Sequence, residues 1–135
     1  MNSILNHYHH YPVMLNNITQ TINSIINYSL NSKNSLNSPN SQNNNNPNSK
    51  KFIYIDCTLG LGNHFINIYQ NFNKHIAEFI LIDKDINSIN LVKQNLKSQN
   101  IINDNLKIIN DNYKNFKNYL HNIEDKILII LADLG

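Results

Sequence analysis

Phe52-Ile53-Tyr54-Ile55-Asp56-Cys57-Thr58-Leu59-Gly60-Leu61-Gly62-Asn63-His64-Phe65 is the stretch whose reading decides the fold. Phe52 to Ile55 is a short apolar run of β-branched and aromatic residues, which suits a strand buried on both faces. Gly60 and Gly62 follow, and then apolar residues recur at helical spacing (Phe65, Ile66, Ile68, Tyr69, Phe72). The unit reads strand, tight glycine turn, helix. In that context glycine lets the backbone take positive φ and approach a ligand closely, while the N–H groups that open the helix face whatever sits there.

Downstream the same alternation repeats. Glu78 to Asp83 reads as a second buried strand ending on a carboxylate, Ile86 to Ser98 as a helix, and Leu106 to Ile109 as a third strand. Asn110-Asp111-Asn112-Tyr113 leads into a short helix carrying Phe116, Tyr119 and Leu120, and Ile127 to Ala132 is a last, strongly apolar strand before Asp133-Leu134-Gly135. Strand–helix repetition of this kind predicts an α/β fold: a doubly wound parallel sheet with helices on both faces, of which about four strands are present. Such sheets normally continue, and a final strand this apolar expects a neighbour on each side. The chain is therefore expected to be the opening portion of a longer enzyme or a truncated product.

Upstream, Pro12 suits a chain entering a helix, and Val13, Met14, Ile18, Ile22, Ile25 and Ile26 predict an amphipathic helix over 13–28 whose stripe serves packing. From 30 to 50 the sequence is Asn and Ser with Pro39 and Pro47, too polar to bury surface against its ordering entropy, and reads as a disordered insertion. The domain organisation is thus 1–29, an N-terminal segment with its helix; 30–50, the insertion; and 51–135, the first half of a cofactor-binding domain.

Composition narrows the function classes. Of 135 residues 30 are Asn, none is Arg or Trp, and all 11 basic residues are Lys, a bias that matches AT-rich coding and removes Asn as a functional signal. A net charge of +2 does not advertise nucleic acid or membrane. The lone Cys57 excludes an internal disulfide and fits a reducing compartment; after a strand it reads as a small buried residue. No apolar run of about 18 residues predicts a membrane span, and neither a signal peptide nor an Arg-rich transit peptide is visible. His7, His9 and His10 stand without a nearby Cys or acidic ligand, so no metal site is expected.

In an open α/β sheet ligands bind beyond the carboxyl ends of the strands. This chain places Gly60, Gly62 and His64, then Asp83, then Asp111 and Tyr113, then Asp133 at those ends, all on one rim. Asp83 follows Gly60 by 23 residues, near the spacing at which an acid on the second strand reaches ribose hydroxyls. Asp111 or Tyr113 is then placed to contact an adenine. Each Asp alone also reads as a helix cap or turn residue; together they point to an adenosine-containing cofactor. A dinucleotide fingerprint needs a third glycine where this chain has Phe65, which disfavours pyrophosphate and favours S-adenosylmethionine.

His10-Tyr11-Pro12-Val13-Met14-Leu15, Tyr54 to His64, Ile82-Asp83-Lys84-Asp85 and Ile130 to Gly135 together resemble the MraW/RsmH family, over nearly the whole chain outside the insertion. The resemblance implies a Rossmann-like class I methyltransferase that uses S-adenosylmethionine to methylate the N4 amino group of a cytidine in small-subunit ribosomal RNA. By position it implies a cofactor loop at Gly62, Asn63 and His64, a ribose acid at Asp83, an aromatic beside adenine at Tyr113, and at Asp133 a carboxylate facing the cofactor. Asp133 is accordingly the candidate catalytic residue, as acceptor of the amine proton or as partner of the methionine amino group. Departures from the family are Asn63 at a glycine position, where strain at positive φ is expected; Asn16-Asn17 at a usual acid; and the absence of everything after Gly135, including the domain expected to grip RNA. The implied partner is ribosomal RNA or the small subunit, with no membrane and no metal. The implied location is a mitochondrion or plastid for a eukaryotic chain and the cytoplasm otherwise. The competing readings are a methyltransferase of this fold with another substrate, and a truncated remnant without activity; a nicotinamide enzyme fits least, because of Phe65.

Overall fold

The computed structural model describes residues 14–34, 51–101 and 103–134. His7, His9, His10 and Pro12, most of the Asn/Ser-rich segment and Gly135 lie outside them. The order of elements is α1 (Leu15–Asn34), β1 (Phe52–Asp56), α2 (Asn63–Phe72), β2 (Ile76–Asp83), α3 (Ile86–Ser98), β3 (Leu106–Asn110), a 3₁₀ helix (Tyr113–Tyr119) and β4 (Ile127–Leu131). All strands pair in parallel, in the spatial order β3-β2-β1-β4.

That order, with right-handed connections, fixes the face each helix takes. The steps β1 to β2 and β2 to β3 run the same way, so right-handed crossovers put α2 and α3 on one face. The chain then returns past β2 and β1 to β4, which reverses the direction and sends the 3₁₀ helix to the opposite face. Helices do flank both faces, but unequally. On one face Ile22 and Ile26 of α1, Phe65, Ile68 and Phe72 of α2, and Ile89, Val92 and Leu96 of α3 pack over Phe52, Tyr54, Phe79 and Leu81. On the other, among the described residues, Ile53, Ile55, Ile80 and Ile82 are covered by Phe116, Tyr119 and Leu120.

Because β1 is central, all five of its residues are buried, as its unbroken apolar run predicts. Phe65 sits edge-on to Phe79 of β2, ring centroids 5.5 Å apart, so at this point α2 stands off the sheet by a ring rather than by a glycine hydrogen. Among the described strands β4 lies at the edge, paired only with β1, and Ile130 is 48% exposed while Ile129 is buried.

The first helix is longer than its periodicity predicts. Its buried stripe is Ile22 and Ile26 with Ile18 beside them, whereas Met14 and Ile25 are exposed. It continues through Asn31 to Asn34, into residues read from sequence as disordered. Ser and Asn are poor helix formers but do not terminate a helix as Gly or Pro does. Here the Ser24 and Ser32 hydroxyls bond back to the Gln20 and Tyr28 carbonyls one turn earlier.

Candidate functional site

The turn after β1 is tied to three strands. Asp56, the last residue of β1, accepts from Thr58 N at Oδ1 (3.1 Å), an Asx-type turn that bends the chain out of the sheet. Leu59 N donates to the Ile82 carbonyl of β2 (3.1 Å) and Gly60 N to Asp83 Oδ2 (2.7 Å). Towards β4, Cys57 N donates to the Leu131 carbonyl, and Thr58 Oγ1 accepts from Asp133 N (2.8 Å).

Both glycines have left-handed backbone, Gly60 at φ 51° and Gly62 at φ 77°. They differ in what surrounds them. A Cβ on Gly62 would sit 3.2 Å from Val92 Cγ2, so that glycine lets α3 close against the turn. A Cβ on Gly60 would meet nothing nearer than the Thr58 carbonyl at 3.9 Å, so the space over Gly60 is open to a ligand. Asn63 is already the first residue of α2, with Gly62 as N-cap. The strain expected at Asn63 is absent, because the positive φ falls one residue earlier.

Asp83 also accepts from Asp85 N at Oδ1 (2.9 Å). Its two oxygens thus hold the glycine turn and the entry to α3, each keeping lone-pair capacity for a hydroxyl. The helix-capping role that an Asp after a strand often has belongs instead to Asp85, whose side chain accepts from Asn87 N. Asp111 is committed to its own loop, accepting from the Tyr119 hydroxyl and from Asn115 Nδ2, bonds that hold its pKa below the usual carboxylate range. Tyr113 opens the 3₁₀ helix beside it.

Some of these groups line a cleft with two lobes at the carboxyl ends of the strands, where the strand order reverses. One lobe, about 360 Å³, is bounded by Gly60, Asp83, Tyr113 and Asp133, with Cys57, Thr58, Lys84, Asn112 and Leu134. The other, about 210 Å³, is bounded by Asn63, His64 and Asp133, with Thr58, Leu59, Gly60 and Leu61. Of the sequence-predicted residues, Gly60 and Asp133 border both lobes. Gly62 lies behind the turn and lines neither; Asp111 is likewise outside. Cys57 is buried, and burial, with the charge of Asp56, pushes its thiol pKa up. The lobes fit an adenosine-bearing cofactor by the chemistry of their donors and acceptors: a carboxylate for ribose hydroxyls, an aromatic ring, and an open glycine.

Two residues of the site were not singled out from sequence. Thr58 borders both lobes, and Asp56 lies beneath them, 1% exposed. The signal for both was the Asp-x-Thr spacing after a strand, the spacing of an Asx turn. Burial raises the Asp56 pKa to about 6; the bond from Thr58 N, the charge of His64 and the Tyr54 hydroxyl oppose the rise without cancelling it, and Asp83 adds to it. Its protonated form therefore contributes stability that is fully present below the ordinary carboxylate pKa and is lost as pH rises through about 6. Denaturant unfolding is expected to show about 1.4 kcal/mol less stability at about pH 7.5 than at about pH 5 from this group, a difference that disappears in Asp56→Asn.

A family model described as the MraW methylase family matches residues 7–135. A crystal structure of an rRNA methylase from Streptococcus thermophilus is similar at 21% identity and a TM-score of 0.45, the match covering 53% of this chain and 39% of that one. The family match takes in the glycine turn, Asp83 and the cleft residues after β4 as well as α1, and the chain belongs to the MraW methylase family.

Proposed function

We propose that this chain forms the cofactor-binding half of an S-adenosylmethionine-dependent methyltransferase that acts on the N4 amino group of a cytidine in small-subunit ribosomal RNA. What supports the reading, beside family membership, is that Asp83, Tyr113 and open Gly60 share one lobe of the cleft while Asp133 borders both lobes.

S-adenosylmethionine, when bound, supplies an electrophilic sulfonium methyl group. The chain's own residues hold and orient. Asp83 offers acceptors to the ribose hydroxyls and Tyr113 a ring for the adenine, while Asn63 and His64, the first residues of α2, line the second lobe, and the opening of a helix suits a carboxylate. The amine of cytosine is a weak nucleophile because its lone pair is delocalised into the ring. Asp133 accepts the proton that this nitrogen gives up as the new N–C bond forms. Most of the acceleration comes from alignment, with no covalent step for the protein. A cytidine must leave its stack to reach such a cleft, which favours a loop over a duplex.

The test is transfer of an isotopically labelled methyl group to isolated small-subunit ribosomal RNA, followed by nucleoside digestion. Label recovered in N4-methylcytidine is the expected result. Label recovered in another nucleoside, or RNA that takes up no label, contradicts the substrate assignment.

A further inference from the structure

We propose that the Thr58 hydroxyl, seated by the buried Asp56 carboxylate, is the positioning group that fixes Asp133 over the cleft. The inference rests on the reading of Asp133 given above and adds what holds that residue in place.

β1 and β4 form a parallel ladder, Phe52 to Asp56 against Ile127 to Leu131. In a parallel pair the N–H donors alternate between strands at even spacing. Cys57 N donates to the Leu131 carbonyl, so the next rung would run from Asp133 N to the Cys57 carbonyl. Instead Asp133 N donates to Thr58 Oγ1, at 2.8 Å. A side-chain hydroxyl has replaced a backbone carbonyl at the place where the two strands part to open the cleft.

The hydroxyl is itself anchored from below. Thr58 N donates to Asp56 Oδ1 at 3.1 Å, and Asp56 Oδ2 accepts from the Tyr54 hydroxyl at 3.3 Å. Tyr54 and Asp56 are both buried in the central strand. A continuous set of hydrogen bonds therefore runs from the core, through Thr58, to the backbone of Asp133. The β-branch of threonine restricts χ1 and holds the acceptor in one direction. Asp133 itself is exposed, so an N–H that loses Thr58 can turn to water. Loss of the hydroxyl should loosen the loop without unfolding the protein.

Amide hydrogen exchange of the 135-residue chain, with Thr58→Val and Thr58→Ser beside the parent, reads this directly. In Thr58→Val the Asp133 amide is expected to exchange about tenfold faster, the protection that one net hydrogen bond confers. The Cys57 amide should be unchanged, and Thr58→Ser should restore protection at Asp133. In the methyl-transfer assay Thr58→Val is expected to lower kcat about tenfold, with the cofactor KM within about twofold and recovery in Thr58→Ser. Unchanged exchange at Asp133 in Thr58→Val overturns the proposal, and so does faster exchange with parental kcat. A parent chain that transfers no methyl group contradicts the functional reading instead, and the exchange comparison alone then decides whether Thr58 holds Asp133.

Discussion

Asp133→Asn is expected to lower the single-turnover rate of methyl transfer by about two to three orders of magnitude while cofactor affinity stays within a few-fold. Asparagine preserves the size of the side chain and leaves the backbone bond to Thr58 Oγ1 intact, so the loop after β4 should keep its path. What it removes is the negative charge and the capacity to take a proton, which matter only as the amine becomes cationic. An interaction made in the transition state alone lowers kcat and kcat/KM equally. Parallel measurements of transfer rate and of cofactor binding separate the two roles open to this residue. A collapse of affinity with unchanged rate of the bound complex would assign Asp133 to the methionine amino group.

Asp83→Ala should weaken S-adenosylmethionine binding by about a hundredfold or more, the loss expected for two charge-assisted hydrogen bonds. The substitution also strips Gly60 N and Asp85 N of their acceptor, so it disturbs the glycine turn and the start of α3 together. Asp83→Asn removes the charge and keeps part of the turn. Its amide oxygen can still accept from one of the two N–H groups, and a loss intermediate between parent and alanine variant is expected. Thermal unfolding of the same samples tells a damaged turn from a missing ribose contact.

Much of this architecture is written in hydrophobic runs. Phe52 to Ile55 and Phe79 to Ile82 are apolar at every position because strands in the middle of a parallel sheet have no solvent face, and the α3 stripe of Ile89, Val92 and Leu96 marks that helix from end to end. The cleft was legible for a related reason: a parallel sheet carries all its strand ends to one rim, so four separated polar positions had to converge. Two things were not legible. The extent of α1 depended on serine and asparagine residues that tolerate a helix once an adjoining apolar stripe docks it, a tertiary effect absent from local propensity. The division of labour among the aspartates depended on hydrogen-bond partners: Asp85 caps a helix, Asp111 closes its own loop and Asp83 holds the glycine turn. A run of sequence specifies each as an Asp near a strand end, and only the fold distinguishes them.

The central claim is that the cleft is built for S-adenosylmethionine, and calorimetric titration of that cofactor into the purified 135-residue chain, shown to be folded, tests it most directly. Saturable one-to-one binding that Asp83→Ala abolishes or weakens by about a hundredfold is the predicted result. A folded chain that takes up no cofactor, or one whose binding is indifferent to Asp83, would contradict it.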